Sequence, residues 1–261
     1  MKKYILIALA SALLAGNAFA ALGDVMTSWP LTLSDPGGVA VSNAYIFYIS
    51  SQGLDKVVTI RRQDGSVVRS WSCPFPAGNR GLAYTWGGDI WIGCMGNGLV
   101  YKCDVNDGDL RNLWNASHAP VGLAPFSHED GGALANYLIS YGPLSSSLHY
   151  HDMSTGSINY STTLADNDGY DMAYDWRSHL IWKQNSRRTH IYGMDFQTGS
   201  LIASFPIPCP EGIATGLAYS DYILFIACTD DRIYLVECPV VESDGTSVAP
   251  ASMGSIKAIY R

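Results

Sequence analysis

The chain has 261 residues and a formal net charge of −7, because its 23 acidic residues outnumber its 16 lysines and arginines. No run of more than two basic residues occurs, which argues against binding along a nucleic-acid backbone. The length suits a short leader followed by one large domain with a sizeable core, although length alone would also allow two domains.

The first twenty residues have the pattern of a secretory signal peptide. Lys2 and Lys3 give a charged start, residues 4–15 are apolar, and Ala18-Phe19-Ala20 supplies a cleavage site before Ala21. The apolar stretch of about a dozen residues is too short to cross a bilayer, which takes roughly 20, and no later apolar segment is longer. We therefore predict export to the extracellular space, the periplasm or the cell surface, without a transmembrane segment.

Five copies of a repeat follow the leader. Each copy opens with a small apolar cluster, and the clusters start 43, 41, 49 and 45 residues apart. The five clusters are Gly38-Val39-Ala40-Val41, Gly81-Leu82-Ala83-Tyr84, Gly122-Leu123-Ala124-Pro125, Asp171-Met172-Ala173-Tyr174 and Gly216-Leu217-Ala218-Tyr219. A period of about 40 to 50 residues is typical of the blades of a β-propeller.

Each repeat contains the pattern of four β-strands, which we label A to D, with A innermost. The opening cluster begins strand A, and short apolar runs rich in aromatic and β-branched residues follow as strands B and C. Strand D comes after a tight turn in which an aspartate stands four residues before a glycine, at Asp104, Asp152 and Asp195. The glycine allows a positive φ, and the carboxylate can accept backbone N–H groups of the turn.

The fifth repeat ends after strand C, at residues 233–236, and has no fourth strand. Residues 24–30 resemble the D strands that end at Trp71 and Phe205. Pairing this N-terminal segment with the last repeat closes the ring and removes exposed strand edges. We predict an all-β, five-bladed β-propeller of four-stranded antiparallel blades over residues 21–239. A flexible C-terminal tail over residues 240–261 is either a solvated end or a sorting signal.

Four of the six cysteines stand in the same register in two repeats. Cys73 and Cys94 stand around the opening glycine of the second repeat as Cys209 and Cys228 stand around that of the fifth. Export favours disulfides, and both pairs bring a D–A loop over the end of a strand B. We predict one disulfide within each pair, contributing about 3 kcal/mol by loop closure. The remaining two are expected to be buried thiols: Cys103 and Cys238.

The motifs resemble the large group of bacterial β-propeller repeats related to the quinoprotein-like and YVTN-type families. The residues that carry this resemblance are Gly216-Leu217-Ala218-Tyr219, Ile191-Tyr192-Gly193-Met194-Asp195 and Gln197-Thr198-Gly199. Families with this repeat include dehydrogenases, lactonases, glutaminyl cyclases and binding modules. The resemblance therefore implies the fold and selects no chemistry, although plant-type glutaminyl cyclases share the five-blade count and a similar length.

In a propeller, the D–A and B–C loops lie on one face, where we expect a ligand at the mouth of the central channel. The D–A loops supply seven candidate ligand-binding residues: Asp35, Asn79, Arg80, His118, Asp168, Asp171 and Glu211. Four of them carry oxygens suited to one Ca²⁺ ion, with solvated loop positions as the alternative interpretation: Asp35, Asn79, Asp168 and Glu211. His118 with Asp168 could act as a base and its orienting group, but no serine stands in a nucleophile elbow. His149 and His151 are expected on an exposed sheet face.

The tryptophans divide into two groups. Trp91 and Trp182 occupy equivalent places on strand B and are expected in the core between blades. Trp86 and Trp176 fall in A–B loops on the face opposite the expected channel mouth, which makes them weaker candidates for a partner surface.

We predict a non-enzymatic binding or interaction scaffold, monomeric and without a required cofactor, whose partner is a protein, a glycan or a small molecule. The alternative is a propeller enzyme with its site at the channel mouth, either a metal-dependent, lactonase-like hydrolase or a glutaminyl-cyclase-like acyl transferase. Convergence of at least three of five side chains on one point would favour the enzyme: Asp35, Asn79, Asp168, Asp171 and Glu211.

Overall fold

A computed structural model describes residues 22–50, 56–73, 79–85, 87–116, 118–126, 137–142, 146–166, 171–185, 187–210, 213–238, 240–241 and 247–248. The predicted signal peptide and the end of the predicted tail lie outside these residues. The described residues form β-strands and turns only, so they include no helix that could span a membrane.

Twenty strands form five blades. Blade 1 comprises β2 (Pro36–Val41), β3 (Tyr45–Ser50), β4 (Lys56–Arg61) and β5 (Val67–Ser72). Blade 2 comprises β6 (Asn79–Thr85), β7 (Asp89–Cys94), β8 (Leu99–Asp104) and β9 (Leu110–Asn115). Blade 3 comprises β10 (Gly122–Phe126), β11 (Tyr137–Tyr141), β12 (Ser147–Asp152) and β13 (Ile158–Thr163). Blade 4 comprises β14 (Met172–Asp175), β15 (Leu180–Gln184), β16 (His190–Asp195) and β17 (Leu201–Pro206). Blade 5 comprises β18 (Ala214–Ser220), β19 (Ile223–Cys228), β20 (Arg232–Glu237) and β1 (Val25–Pro30). A short hairpin follows, of β21 (Val240–Val241) and β22 (Ser247–Val248).

The ring closes as the sequence predicts. In blade 5 the strand order is β1-β20-β19-β18, with Thr27 opposite Leu235 and Trp29 opposite Ile233. The pairing continues one step further, because Gly23 N donates to Glu237 O at 3.0 Å. The five A strands (β2, β6, β10, β14 and β18) contact their neighbours around the ring. The five-bladed, all-β architecture is therefore confirmed.

Burial decreases from the inner strands of a blade to its outermost strand. Strand β19 is buried at every position, since blades pack against both of its faces. Strand β9 lies at the outer edge and buries only Trp114. Trp91 and Trp182 are buried between blades, as predicted.

The C–D turns have the predicted chemistry. Gly108 N donates to Asp104 O at 3.0 Å, and Asn106 N donates to the Asp104 carboxylate at 2.7 Å. The equivalent glycine of blade 3, Gly156, has a φ of 74° and that of blade 4, Gly199, has a φ of 70°. The backbone donor at Asn106 lowers the pKa of Asp104. These turns form locally and fix the register of strand D.

The turn glycines also join neighbouring blades. A Cβ atom on Gly65 would lie 2.7 Å from Cγ of Trp29, and one on Gly156 would lie 2.6 Å from Cγ of Trp114. In each case the tryptophan belongs to strand D of the preceding blade. Gly23 stands in the same relation to Phe205, at 2.8 Å. The N-terminal strand thus reproduces the contact between blades as well as the strand pairing.

The structure contains the disulfide Cys209–Cys228, with its Cα atoms 6.3 Å apart. Such a bond is typical of an oxidising compartment. Cys73 and Cys94 lie in one core cluster of blades 1 and 2, and their pairing stays a prediction. Cys103 is buried, and burial raises the pKa of its thiol to about 12. Burial likewise raises the pKa of the Cys238 thiol well above its ordinary value.

Candidate functional site

The five A strands surround a narrow apolar throat of about 40 Å³. Each strand contributes three consecutive residues, and the middle one is always alanine: Ala40, Ala83, Ala124, Ala173 and Ala218. All five strands run in the same direction, from the face that carries the D–A loops to the face that carries the A–B loops. The two ends of the throat therefore have different residues around them.

Glycine opens strand A in four blades because the strands approach closely there. A Cβ atom on Gly81 would lie 2.9 Å from the backbone nitrogen of Leu123, and one on Gly216 would lie 2.8 Å from that of Val39. Real Cβ atoms are not found so near to backbone atoms, so these two blades exclude a side chain at the position. Blade 4 has Asp171 at the equivalent position.

The Asp171 carboxylate closes the throat at the D–A end. It accepts backbone N–H groups from Leu217 at 3.0 Å, Val39 at 3.2 Å and Leu123 at 3.4 Å, and a further one from Met172. These donors occupy one equivalent position in blades 5, 1, 3 and 4. Innermost strands have unpaired N–H groups toward the axis, and one carboxylate satisfies four of them. Burial raises the pKa of this carboxyl well above its ordinary value, and the four donors oppose the shift.

At the other end the throat opens into a bowl of about 310 Å³ on the A–B face. We call this bowl the mouth. It is lined by Val41, Ser42, Asn43, Ala44, Tyr45, Tyr84, Pro125, Tyr174, Trp176, Tyr219, Ser220 and Asp221. All five blades contribute to it.

Aromatic rings form much of the wall of the mouth. Tyr84, Tyr174 and Tyr219 occupy the same position in strand A of blades 2, 4 and 5. Rings behind them hold two of them in place: Phe47 stacks on Tyr84 with centroids 5.3 Å apart, and Phe126 lies 4.7 Å from Tyr174. Because the Tyr84 and Tyr174 rings are packed from behind, this part of the wall is formed before any ligand arrives.

Polar groups from blades 1 and 5 also line the mouth. The Arg62 guanidinium, 5% exposed, donates to the Asp221 carboxylate at 2.9 Å and to Ser220 Oγ at 3.3 Å. The Asp221 side chain is 49% exposed. Ser42 accepts from Tyr45 N at 3.1 Å, which fixes the A–B turn of blade 1. These groups thus present hydroxyl and carboxylate oxygens whose net charge Arg62 reduces.

The backbone at the rim is strained. Asp221 and Tyr222 form the A–B turn of blade 5, with φ values of 51° and 64°. A two-residue hairpin turn of this kind favours Asn-Gly, and bulky residues in it cost free energy. Both side chains contact an arginine: Asp221 binds Arg62, and the Tyr222 ring lies 3.9 Å from the Arg177 guanidinium. Arg177 also covers the Trp176 ring at 4.6 Å.

Asp175 lies behind the wall, fully buried. Its carboxylate accepts the backbone N–H groups of Arg177 at 3.0 Å and Ser178 at 3.2 Å, which shapes the A–B turn of blade 4. Burial raises the pKa of Asp175. Burial and the neighbouring Asp175 charge raise the pKa of Tyr219 well above its ordinary value, so the phenol remains a neutral hydroxyl in the wall.

The predicted D–A loop residues lie in different surroundings. Asp35 lies on an exposed turn with a φ of 56°, where its backbone N–H donates to Asp231 at 2.9 Å. Asp171 closes the throat. The side chains of Asn79 and Arg80, and all of Asp168 and Glu211, lie outside the described residues. Their role at the channel mouth and the Ca²⁺ site stay predictions, while the cavity that the described residues form opens on the opposite face.

His118 packs against strands B and C of blade 3 in a histidine cluster. Its Nε2 lies 2.9 Å from Ser140 Oγ, which lies 2.7 Å from Nε2 of His151. His151 Nδ1 must donate to Gly156 O at 2.9 Å, so neutral His151 accepts the Ser140 proton and His118 donates to Ser140. The His149 ring lies 4.6 Å from that of His118. Burial, with smaller effects of His149 and His151, lowers the pKa of His118 to about 4.

The expectation of an exposed face at His149 and His151 is wrong for His151. That residue is fully buried, because its ring stacks on Trp114 of blade 2 at 4.6 Å. The cluster is therefore part of the contact between blades 2 and 3.

Among the described residues, the three side chains whose ligand atoms come close enough to share a metal ion are Cys209, Cys228 and Asp230. Since the two sulfurs form a disulfide, this group does not supply a calcium site.

Sequence reasoning placed Trp176 on the A–B face but missed the tyrosines beside it. The signal was present, since the opening cluster of strand A ends in tyrosine in three of the five repeats. The end of an innermost strand borders the channel, so a tyrosine at that position lines the mouth.

No protein-family model matches the chain, and no curated protein matches it. Among solved structures, glutaminyl cyclase from Myxococcus xanthus is similar with a TM-score of 0.64 and 12% identity, over 82% of this chain and 95% of that one. A catalytically inactive virginiamycin B lyase from Staphylococcus aureus, solved with quinupristin, matches with a TM-score of 0.47 and 15% identity, over 80% of this chain and 68% of that one. Likeness at these identities shows the fold alone, and the predicted YVTN-type relationship stays a prediction.

Proposed function

We propose that this protein is an exported ligand-binding module whose site is the mouth on the A–B face. The observation that carries the proposal is the combination of packed aromatic rings and polar side chains in the lining of one bowl of about 310 Å³. That volume is at the lower end of the range for small-molecule sites, which are mostly apolar with a few polar groups. The signal-peptide pattern and the disulfide support export.

The two ends of the throat support a site on this face. At the D–A end, the Asp171 carboxylate already accepts N–H groups of four blades. At the A–B end, the throat opens into the mouth, where Tyr84, Tyr174 and Tyr219 line the opening.

Soaking crystals of the mature protein with three probes of different charge tests the proposal. N-acetylglucosamine is neutral, choline is cationic and benzoate is anionic. We expect at least one of them to occupy the mouth, in contact with Tyr174 or Trp176. Probes bound only on the D–A face, or none bound at the mouth, would contradict the proposal.

An enzyme remains the alternative, and the likeness to a glutaminyl cyclase supports it only through the fold. The two described acidic candidates do not form a catalytic pair. The Asp171 carboxylate accepts backbone N–H groups, and Asp35 lies on an exposed turn. Incubation with a peptide that begins with glutamine, followed by assay of released ammonia, decides this point. We expect no release above a control without protein, whereas turnover would establish the enzyme.

A further inference from the structure

We propose that the ligand of the mouth is a small primary amine in its protonated form. Its ammonium group binds the exposed Asp221 carboxylate, and its apolar stem packs on the aromatic lining. This inference rests on the proposed function and names its ligand class. Three features of the lining lead to it: the aromatic rings, the charge of Asp221, and the hydrogen bonds that the serine hydroxyls already make.

Aromatic side chains reach the mouth from four of the five blades. Blades 1, 2, 4 and 5 supply five of them: Tyr45, Tyr84, Tyr174, Trp176 and Tyr219. The faces of aromatic rings carry partial negative charge and attract cations, and the rings also pack on apolar carbons. Such a lining suits a ligand that has both a cationic group and an apolar stem.

Among the described residues that line the mouth, Asp221 is the only one with a charged side chain. It binds Arg62 at 2.9 Å, but the Arg62 side chain is 6% exposed and that of Asp221 is 49% exposed. The Arg62 guanidinium packs on the Phe225 ring at 4.9 Å, and that ring is buried in the core. The pair therefore presents its negative end to the solvent, and a ligand that enters meets the carboxylate first.

One oxygen of the Asp221 carboxylate is available. Arg62 and Ser220 both donate to Oδ2, and within the part of the chain that the structure describes no group donates to Oδ1. A carboxylate oxygen accepts a strong hydrogen bond from an ammonium group, because both partners are charged. Oδ1 is therefore the atom that binds the N–H groups of the ligand.

The serine hydroxyls of the lining are acceptors as well. Ser220 Oγ donates its proton to the Asp221 carboxylate at 3.0 Å, and Ser42 Oγ donates its proton to Tyr45 O at 3.3 Å. Because a hydroxyl has one proton, these oxygens can only accept from a ligand. A primary ammonium group has three N–H donors for such acceptors, whereas a quaternary ammonium group has none.

Arg177 offers the competing interpretation. It lies outside the lining, with its guanidinium 4.6 Å from the Trp176 ring and 3.9 Å from the Tyr222 ring. Its Nη1 is buried without a hydrogen bond among the described residues. An anion that reached this nitrogen would bind beside Trp176 and would not need Asp221. The two interpretations therefore differ in the charge of the ligand and in the residue on which binding depends.

Four probes with the same hexyl stem test the inference in amide chemical-shift titrations of the mature protein. Hexylamine is a primary ammonium ion at neutral pH, and its comparison probes are 1-hexanol, hexanoate and hexyltrimethylammonium. We expect hexylamine to shift residues 41–45, 174–176 and 219–221. It should bind about 10-fold more tightly than 1-hexanol and hexanoate, and about 3-fold more tightly than hexyltrimethylammonium, which lacks N–H donors.

Asp221→Asn tests the carboxylate itself. The substitution removes the charge and keeps the size of the side chain, and asparagine tolerates the φ of 51° at this position. It should weaken hexylamine binding about 10-fold and leave 1-hexanol binding within about 2-fold. Asp35→Asn is the matched control, because Asp35 is also exposed, has a φ of 56° and lies on the D–A face. The control should leave the binding of both probes unchanged.

The outcomes separate this inference from the proposed function. Hexanoate or 1-hexanol bound at the mouth as tightly as hexylamine would overturn the amine and leave the mouth as the binding site. Equal effects of Asp221→Asn and Asp35→Asn would overturn the role of Asp221 in the same way. Hexylamine shifts centred outside the mouth would overturn the inference and the proposed function together. Should Asp221→Asn fail to fold, the four probes on the parent protein still decide, because only the primary amine combines the positive charge with N–H donors.

Discussion

Asp171 shows how one substitution in a repeat can organise the whole ring. Four repeats have glycine where the fourth has aspartate, and the structure needs four small residues and one carboxylate there. Three of its donors, Val39, Leu123 and Leu217, lie 132, 48 and 46 residues away in sequence. Such a residue resembles a ligand-binding aspartate in the sequence, because both stand at the opening of strand A next to the channel.

We expect Asp171→Asn to destabilise the protein by about 3 kcal/mol. The amide has one acceptor oxygen, and its NH₂ group would point at backbone N–H groups that then lack an acceptor. Urea unfolding measures the change. The matched control is Asp35→Asn, since asparagine tolerates the φ of 56° at that exposed turn, and it should stay within about 0.5 kcal/mol of the parent protein. Equal effects of the two substitutions would contradict the role of Asp171.

The histidine cluster gives the fold a pH dependence. Folded His118 has a pKa of about 4, below the ordinary 6.5, so between these values the unfolded chain binds a proton that the folded chain does not. Stability should therefore fall as the pH drops from about 6.5 toward about 4. His118→Asn removes this contribution and should lose less stability than the parent between pH 7 and pH 4.5 in urea titrations. Identical losses in the two proteins would refute the assignment.

At the scale of the element, the unit of this fold is a blade with a contact to the next one. The C–D turn of each of blades 1 to 4 places a glycine against strand D of the preceding blade, as Gly156 lies on Trp114. The same turn fixes the register of its own hairpin. Local turn chemistry and packing between blades therefore depend on one residue.

Comparison of two glycines separates these contributions. Gly88 has a φ of 78° and no atom within 4 Å of an added Cβ, whereas Gly156 has a φ of 74° and the Trp114 ring at 2.6 Å. Gly88→Ala should cost about 1 kcal/mol from backbone strain alone. Gly156→Ala should cost at least about 3 kcal/mol, because overpacking against Trp114 is added to the strain. Thermal and urea unfolding measure both, and equal costs would show that the contact between blades contributes nothing.

At the scale of the whole molecule, most of the architecture follows from local patterns. Strand periodicity, the Asp and Gly of the turns and the missing strand of the last repeat together predict the closed ring. The histidine cluster escaped prediction because Ser140 and His118 are 22 residues apart and meet only when blade 3 folds. The mouth was not predicted for a different reason. Sequence analysis favours polar loop residues as binding candidates, whereas this cavity is lined largely by strand ends.

The closed ring gives the molecule one axis with two unlike ends. Asp171 satisfies the inner strands at one end, and Tyr84, Tyr174 and Tyr219 line the opening at the other. A ligand can therefore use the axis from the A–B face only, unless it displaces the carboxylate from four N–H groups. This asymmetry is the basis of the functional proposal.

Amide chemical-shift mapping of the mature protein tests that proposal most directly, with whichever of N-acetylglucosamine, choline and benzoate binds most tightly. We predict the largest shifts at residues 41–45, 174–176 and 219–221, which form the mouth in three blades. Shifts centred on the opening residues of the A strands at the Asp171 end, or on the outer strands, would contradict the account.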